Sequence, residues 1–487
     1  VAGDDTRSGT SAATAWRTLQ KFNDSGAGQM QPGSRAFFKR GCTFQKTDVY
    51  PMGLYDGGIL NVYNSGNATN YVEYRAYGTG AAPVFSGAVP VTGWTQCTAS
   101  TCPNASTNAY WANLAPNKNI RHLFANNSGQ TIARYPNKSG GNTVWMRTDH
   151  ITNPGGVSLN VEDNSTEDAS STGVSMPQSS SINLTGGEYA ARFMNWAFVV
   201  APITAHSGQT ITVSFQGAMD HVPCYSPDRT ATIYPEAGWG YLVQNKLSLL
   251  DTAGEWYYDN ASGKVYFYAP GGVNPSTMNV EAAVHRNGVK LLGNIHHVKV
   301  KNLAFEKFNK FSYGGADKAA AVFIQDWEAA SSGTLSNIIE NVEIKNTPIG
   351  VRVEGVKSTG PSNGNKVLNS YIHDIYDIGM LSFGVGHLYQ GNIIENVGLV
   401  PEIAADQEEW NHFYGFVSTG GNSDFIGNIV RNIGYIGVNY VRNGEVRNNL
   451  IENISLSIND GCGVCADGAE GDLLVKRNVV NHVYGNI

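Results

Sequence analysis

Val300-Lys301-Asn302-Leu303-Ala304-Phe305 is the first copy of a phrase that recurs to the end of the chain. Each copy places an Asn before a short apolar run, and the copies are centred on Asn302, Asn341, Asn369, Asn392, Asn428, Asn449 and Asn478. Intervals of roughly 21 to 39 residues separate them, which indicates a core period in the low twenties interrupted by insertions. The repeat therefore decides the fold.

The repeat has the chemistry of strands and turns. Short runs of Val, Ile, Phe and Tyr alternate with Gly, Asn and Asp, and no copy has a helical face. Such units cannot bury their apolar side alone, so they must stack. We predict an all-β coil of parallel strands, with three short strands per turn. Asn at one turn would hydrogen-bond along the stack and tolerate a left-handed backbone.

Composition limits the classes of function. The net charge is −7, charged residues make up 15% and there are 56 glycines, which suits a secreted, β-rich protein. Binding to nucleic acid or anionic lipid requires a basic face, and none is visible in the sequence, so we predict neither as a partner. The chain has no apolar run of 18 residues, so we predict no membrane span. We expect a processed or trimmed N-terminus, because residue 1 already lies in a segment of folded character.

The cysteines indicate an oxidising compartment. Cys97 and Cys102 bracket a short polar loop and are predicted to form a disulfide. Cys462 and Cys465 have the spacing of half a zinc site, but no second pair completes four ligands. We therefore predict a disulfide or buried thiols there, and an extracellular protein without a resident metal.

The chain divides into three predicted units. Residues 1–92 hold an N-terminal capping helix, indicated by Ala13, Trp16, Leu19 and Phe22, and the first turns of the coil. Residues 93–282 lack the repeat and contain aromatic strands with Gly, Asn and Pro turns, so they are predicted to form an inserted β-rich domain. Residues 283–487 form the main coil.

Several short motifs resemble a known group of enzymes. They are Ser8-Gly9-Thr10 before Ala15-Trp16, Phe38-Lys39-Arg40-Gly41, Leu123-Phe124, Ala133-Arg134-Tyr135-Pro136-Asn137, Glu255-Trp256-Tyr257-Tyr258-Asp259 and Gly263-Lys264-Val265-Tyr266-Phe267-Tyr268. In this order the chain resembles the right-handed parallel β-helix glycoside hydrolases of the β-xylosidase and α-fucosidase/xylanase type. The resemblance implies a right-handed parallel β-helix interrupted by a β-sandwich.

The same resemblance points to a catalytic acid. Asn459-Asp460-Gly461-Cys462-Gly463-Val464 resembles the Asp-Gly-Gly-Gly-Ile-Tyr turn that carries a catalytic Asp in such enzymes, with Cys462 and Cys465 replacing a Gly and the Tyr. We predict Asp460 as nucleophile or base, by resemblance. Asp467 or Glu470 would be the acid, because glycoside hydrolysis needs two carboxyl groups within about 5 to 9.5 Å. The structural alternative is that Asp460 and Asp467 simply belong to Asp-Gly turns.

A substrate-binding face follows from the strand alternation. Aligning the repeats at Gly350, Gly379, Gly415, Gly437 and Gly463 points the next residue of each inward and its neighbour outward. A groove on the outward face would then combine Arg352, Glu354, Asn439 and Asp467. Asp460 and His412 would lie at its rim.

The insertion at residues 400–412 supplies further candidates. Glu409, Trp410 and His412 are predicted to contact substrate, because an aromatic ring in a polar loop offers a stacking face for a sugar. The alternatives are a solvated acidic loop or a Ca²⁺ site.

We predict a secreted glycoside hydrolase that acts on a plant or algal polysaccharide or oligosaccharide. The first alternative is a polysaccharide lyase or epimerase acting on uronic acids, for which Arg352 and Arg442 would neutralise the carboxylate. The second is a non-catalytic extracellular adhesin or filament protein that uses the coil as a scaffold.

Overall fold

A computed structural model describes residues 3–46, 58–102, 106–155, 158–164, 174–214, 237–293, 295–309, 319–325, 335–354, 364–404 and 412–484. The described part is nearly all β. Its α-helices are α1, Leu19–Ser25, and α2, Pro401–Ala404, and its 3-10 helices are Ala12–Thr14, Ala27–Gln29, Leu247–Leu249, Pro270–Gly272 and Pro275–Thr277. Within these ranges no helix is both long and apolar enough to cross a bilayer.

The strands before the resumed repeat are β1 Arg35–Lys39, β2 Thr43–Gln45, β3 Leu60–Asn61, β4 Val72–Tyr77, β5 Val84–Ser86, β6 Ala88–Pro90, β7 Thr95–Gln96, β8 Tyr110–Asn113, β9 Leu123–Ala125, β10 Ser128–Gly129, β11 Thr131–Ile132, β12 Arg134–Tyr135, β13 Met146–Arg147, β14 His150–Gly155, β15 Ser158–Glu162, β16 Glu188–Met194, β17 Ala197–Ser207, β18 Thr210–Ser214, β19 Gly240–Gln244, β20 Glu255–Asp259, β21 Lys264–Tyr268 and β22 Val280–Ala283. The strands that follow are β23 Val289–Leu292, β24 Val298–Lys301, β25 Ala304–Glu306, β26 Val322–Gln325, β27 Ile338–Glu340, β28 Glu343–Glu354, β29 Lys366–Leu368, β30 Tyr371–Ser382, β31 Leu388–Gln390, β32 Ile393–Val397, β33 Phe416–Ser418, β34 Ser423–Ile426, β35 Ile429–Ile433, β36 Val438–Arg447, β37 Leu450–Ile454, β38 Val464–Lys476 and β39 Val479–Val483.

Twenty-one strands form one parallel sheet that winds as a coil. Strands three apart pair in parallel, as in β23 with β26, β24 with β27 and β25 with β28. The long strands β28, β30, β36 and β38 bend from one side of the coil to the next, so each pairs in two places. β4 and β5 pair with β24 and β25, which joins the N-terminal strands to the resumed repeat.

The predicted alignment of the repeats is confirmed by the strand register. Val351 pairs with Met380, Met380 with Phe416 and Phe416 with Val438, and these four side chains are fully buried in the core of the coil. The glycine before each strand is required by close stacking. A Cβ at Gly379 would lie 2.4 Å from the carbonyl oxygen of Gly415 in the next turn.

The predicted asparagine ladder is also confirmed. Asn392, Asn428, Asn449 and Asn478 are linked by amide hydrogen bonds of 2.9 to 3.2 Å from each Nδ2 to the next Oδ1. Asn302, Asn341 and Asn369 themselves adopt left-handed backbone angles, with φ of 60°, 51° and 50°. In the later turns the residue before the ladder Asn takes that conformation, as Gly427 does before Asn428.

The N-terminal helix begins later than the sequence pattern predicts. The pattern starts at Ala13, but α1 starts at Leu19, because Asp5 accepts hydrogen bonds from the backbone of Arg17 and Thr18 and Thr18 caps the helix. Leu19 is buried in the core of the coil, and Phe22 packs on the first turn with its ring centroid 5.5 Å from that of Phe38.

The segment from β6 to β22, here called the insert segment, forms three separate sheets of four, five and eight strands. Almost all of their strand pairs are antiparallel, β11 with β20 being parallel. The predicted disulfide between Cys97 and Cys102 is confirmed in this segment, with Cα atoms 5.4 Å apart.

Candidate active site

The outward row of the coil follows the predicted alternation. Its members are Phe323, Arg352, Leu381, Val417, Asn439 and Cys465, which pair in that order from one turn to the next. Their neighbours Val351, Met380, Phe416 and Val438 point into the coil, so the side chains of this row point outward. Several of them pack against residues of the insert segment.

The middle of this row is not the open groove that the sequence predicts. Leu381 and Val417 are fully buried in an apolar cluster shared with the insert segment, here called the junction cluster. Its buried members are Ala190, Phe198, Val200, Leu242, Ala320, Phe323, Ile349, Ile378, Leu381, Phe413, Tyr414, Val417, Tyr435, Ile436 and Ile458. Apolar side chains on both surfaces exclude water there. In the row, Arg352 lies between Phe323 and Leu381, and Asn439 lies between Val417 and Cys465.

Arg352 and Glu354 lie on β28, between the turns that carry Phe323 and Leu381, and bind each other. Arg352 Nε donates to Glu354 Oε1 at 2.6 Å, and Gln325 Nε2 donates to Glu354 Oε2 at 3.0 Å. The Arg352 guanidinium also lies 5.9 Å from the ring centroid of Phe323. Both carboxylate oxygens of Glu354 are thus occupied inside the protein, which favours a bracing role over direct contact with substrate.

Asn439 and Asp460 lie in later turns of the coil than Val417. Asn439 is buried on β36, beside Cys465 of the next turn. Asp460 is exposed and has a left-handed backbone, with φ of 66°. Asp tolerates this conformation better than most residues, so the turn alternative and the catalytic prediction are compatible with the same geometry.

Contacts on two sides hold the Asp460 turn in place. The Asn459 backbone N–H donates to the Asn195 carbonyl at 2.9 Å, which ties the turn to the loop between β16 and β17. A Cβ at Gly461 would lie 2.5 Å from the Tyr435 carbonyl oxygen, so the chain there packs directly on the preceding turn of the coil. These contacts present the Asp460 carboxylate to solvent at a fixed place.

Asp467 lies on β38, and the structure describes its backbone but not its side chain. The pairing of β38 with β36 shifts between Ala466 and Glu470, so Asp467 belongs to an irregular stretch of strand. Such bulges redirect side chains and are frequent beside active sites. A disulfide joins Cys462 to Cys465, in the stretch of chain between Asp460 and Asp467. Glu409 and Trp410 lie outside the described residues.

His412 makes a contact that the sequence did not predict. Its Nδ1 lies 3.0 Å from Oδ1 of Asp377, a carboxylate with no exposed surface. A buried carboxylate fixes the orientation of an imidazole, as in catalytic His and Asp pairs. Asp377 stands two residues before Gly379, one of the glycines at which the repeats align. That position was the only feature of the sequence that could have indicated a contact with His412.

Two aromatic side chains of the insert segment pack on the junction cluster, and one of them follows the residue that contacts the Asp460 turn. Half-buried Trp196 follows Asn195 and packs on the junction cluster together with Cys462 and Cys465. Half-buried Trp145 packs on the same cluster, with its ring centroid 5.8 Å from that of Phe198. Partly exposed indole faces suit stacking on sugar rings. Sequence reasoning missed both residues, because the repeat gives no information about which loop of the insert segment reaches the coil.

The described residues contain no group of three or more His, Cys, Asp or Glu side chains arranged to hold a metal ion. Most of the acidic loop considered for Ca²⁺, at residues 405–411, lies outside the described part of the chain. The Ca²⁺ alternative therefore stays a prediction.

Comparisons with known proteins support the fold. Neither a protein-family model nor a curated protein sequence matches the chain. Among solved structures, one described as a glycoside hydrolase has a TM-score of 0.63 and 14% identity, covering 98% of this chain and 87% of the other. The structure of XylC in complex with xylose has a TM-score of 0.52 and 12% identity, covering 98% of this chain and 64% of the other. The chain thus has a nearly all-β fold that is also found in glycoside hydrolases.

Proposed function

We propose that this protein is a glycoside hydrolase that cleaves a polysaccharide or oligosaccharide with a pair of carboxyl groups. Asp460 acts as nucleophile or base, and Asp467 supplies the proton to the leaving oxygen. Asn439, His412, Glu409 and Trp410 would contact the substrate.

The observation that carries this proposal is the placement of Asp460. Its carboxylate is exposed at the border between the coil and the insert segment, while the turn that bears it is fixed by Asn195 and by the packing of Gly461. A carboxylate that must act on a bound sugar needs both access and a fixed position. The indole of Trp196, next to Asn195, would provide a surface for the sugar ring.

We also propose that the protein is secreted and that its fold is a right-handed parallel β-helix with an inserted β-sandwich. Its units would be residues 1–92, 93–282 and 283–487, and it would need no cofactor. Two disulfides support an oxidising compartment. Because XylC was solved with xylose, xylose-containing plant glycans are the first substrates to test.

Reducing-sugar release from xylans, fucans and uronate polymers tests the activity, with absorbance near 235 nm read in parallel for the unsaturated product of a lyase. We expect hydrolysis of one neutral polymer, and a loss of about 10³-fold or more in Asp460→Asn and in Asp467→Asn, since each removes an essential carboxyl group. Thermal melts of each variant show whether the coil stays folded.

Asp472→Asn is the matched control, because Asp472 is an exposed acid on the same strand as Asp467. It should keep full activity. Absorbance at 235 nm would favour the lyase instead, and a folded Asp460→Asn variant with wild-type turnover would remove Asp460 from the mechanism. Inactivity on every polymer would favour the adhesin or filament alternative.

A further inference from the structure

A small cavity lies where α2 and β30 meet the insert segment, and its volume is about 130 Å³. At roughly 30 Å³ for each liquid water, this volume equals about four waters. The cavity is therefore too small for a sugar ring, but it can hold a ligand of about four non-hydrogen atoms.

Three polar side chains that line this cavity make no hydrogen bond or ion pair with the described residues. They are His122, Lys138 and Tyr376. His122 is only 4% exposed, and Lys138 and Tyr376 are half-buried. Polar groups that are withdrawn from bulk water are normally paired. Three such groups around one small space therefore indicate that the space holds a partner for them.

Each of these three side chains can donate a hydrogen bond. Burial together with the nearby Arg121 charge lowers the pKa of His122 to about 3, so its imidazole is neutral near pH 7 and carries one N–H donor. A tyrosine hydroxyl supplies one donor, and a lysine ammonium supplies three donors and no acceptor. The His122 ring stacks on the Tyr376 ring, with centroids 4.2 Å apart, which holds both rings in place. This side of the cavity therefore suits a ligand that accepts hydrogen bonds.

Lys138 gives the cavity lining a net positive charge. The other ionised residues of the lining are Arg134 and Glu402, which compensate each other because Arg134 Nη1 donates to Glu402 Oε1 at 2.7 Å. Burial lowers the pKa of Lys138, since it penalises the charged ammonium, and the nearby Glu402 carboxylate opposes this shift. A bound anion would pair with the Lys138 ammonium, whereas a cation would be repelled by it.

Aliphatic side chains supply another part of the lining. They are Leu123 and Ile132 of the insert segment, and Val400 and Ile403 at α2. A methyl group gains free energy when it leaves water for an apolar surface of this kind. The cavity thus combines one uncompensated positive charge and several donors with an apolar surface.

We propose that this cavity binds a short monocarboxylate such as acetate. The two carboxylate oxygens accept hydrogen bonds from Lys138, His122 and Tyr376, and the methyl group contacts the aliphatic part of the lining. Acetate has four non-hydrogen atoms, which matches the volume of the cavity. The proposal concerns binding and does not depend on the roles of Asp460 and Asp467.

Titration calorimetry with sodium acetate, at an ionic strength kept constant with sodium chloride, tests this inference. We expect one acetate to bind to each chain. Lys138→Met removes the positive charge, so it should weaken binding about tenfold or more. Tyr376→Phe removes one hydroxyl and keeps the ring that stacks on His122, so it should weaken binding about threefold or more. Lys366→Met removes an exposed lysine of β29 and is the matched control, which should bind acetate as the wild type does.

Two other ligands separate the effects of charge and size. Acetamide has the shape of acetate without its charge, and benzoate carries the carboxylate on a ring that is too large for the cavity. Neither should bind. Asp460→Asn should leave acetate binding unchanged, which distinguishes this site from the proposed catalytic one.

Thermal melts show whether each variant is folded, and if Tyr376→Phe does not fold, Lys138→Met decides alone. Absence of acetate binding up to about 100 mM would overturn the proposal. So would binding that a folded Lys138→Met or Tyr376→Phe variant leaves unchanged, and so would acetamide or benzoate binding as tight as that of acetate.

Discussion

Replacing Asn428 by Ala tests whether the asparagine ladder holds the coil together. Asn428 is 1% exposed, its Nδ2 donates to the Tyr389 carbonyl at 3.0 Å, and its Oδ1 accepts from the Asn392 backbone N–H at 2.8 Å. The substitution leaves that carbonyl and that N–H buried and unpaired. At about 1 to 3 kcal/mol for each group, the free energy of unfolding should fall by about 4 kcal/mol.

Urea unfolding followed by far-UV circular dichroism measures this loss. The matched control is Asn341→Gly, because the Asn341 amide makes an exposed ladder bond to Asn302 and Gly keeps the left-handed backbone that Asn341 adopts. An exposed hydrogen bond contributes little net stability, so the control should lose about 1 kcal/mol or less. If Asn428→Ala loses no more than Asn341→Gly, the ladder does not stabilise the coil.

Two further variants test the junction with the insert segment and the pH dependence of stability. Phe198→Ala should lower the free energy of unfolding by about 3 kcal/mol, because it opens a void in the junction cluster, and an unchanged melting temperature would contradict this packing. Burial opposes the charge of His373, but hydrogen bonds to Asp374 and Glu343 outweigh it and raise its pKa to about 9. The His373 contribution to stability is therefore complete below the unfolded pKa of about 6.5 and is lost as the pH rises toward 9. Melting temperatures should fall over that window in the wild type and fall less in His373→Phe, which keeps the stacking on Tyr371, and equal falls in both proteins would refute the assignment.

The coil itself could be predicted from the sequence because its restraints are local and repeated. An Asn at one turn and a Gly before one strand recur in every unit, and a strand alternates its side chains with a period of two. These patterns predicted the ladder through Asn428 and the inward positions of Met380 and Phe416, which the hydrogen bonds and burial confirm.

What covers the coil could not be predicted in the same way. Alternation assigns Leu381 and Val417 to the outward side, but it contains no information about a segment more than a hundred residues earlier in the chain. Apolar residues at outward positions were the available signal, since an open groove would not expose two aliphatic side chains without cost. They indicate a covered surface, and Leu381 and Val417 indeed share the junction cluster with residues of the insert segment.

Only the part of the candidate site that depends on a local motif could be predicted. Asp460 was identified through a turn motif, which is local. The contact between His412 and Asp377 joins residues 35 positions apart, and the ion pair between Arg134 and Glu402 joins residues more than 250 positions apart. Such contacts depend on how insertions fold back onto the coil, which a single sequence without a repeat pattern does not specify.

A crystal structure of the Asp460→Asn variant with an oligosaccharide of the polymer that the wild type hydrolyses tests the central claim most directly. The proposal predicts a glycosidic oxygen within hydrogen-bonding distance of the residue 467 carboxyl group, and the adjoining anomeric carbon facing residue 460. An ordered oligosaccharide bound with both positions remote from its glycosidic bonds would contradict it.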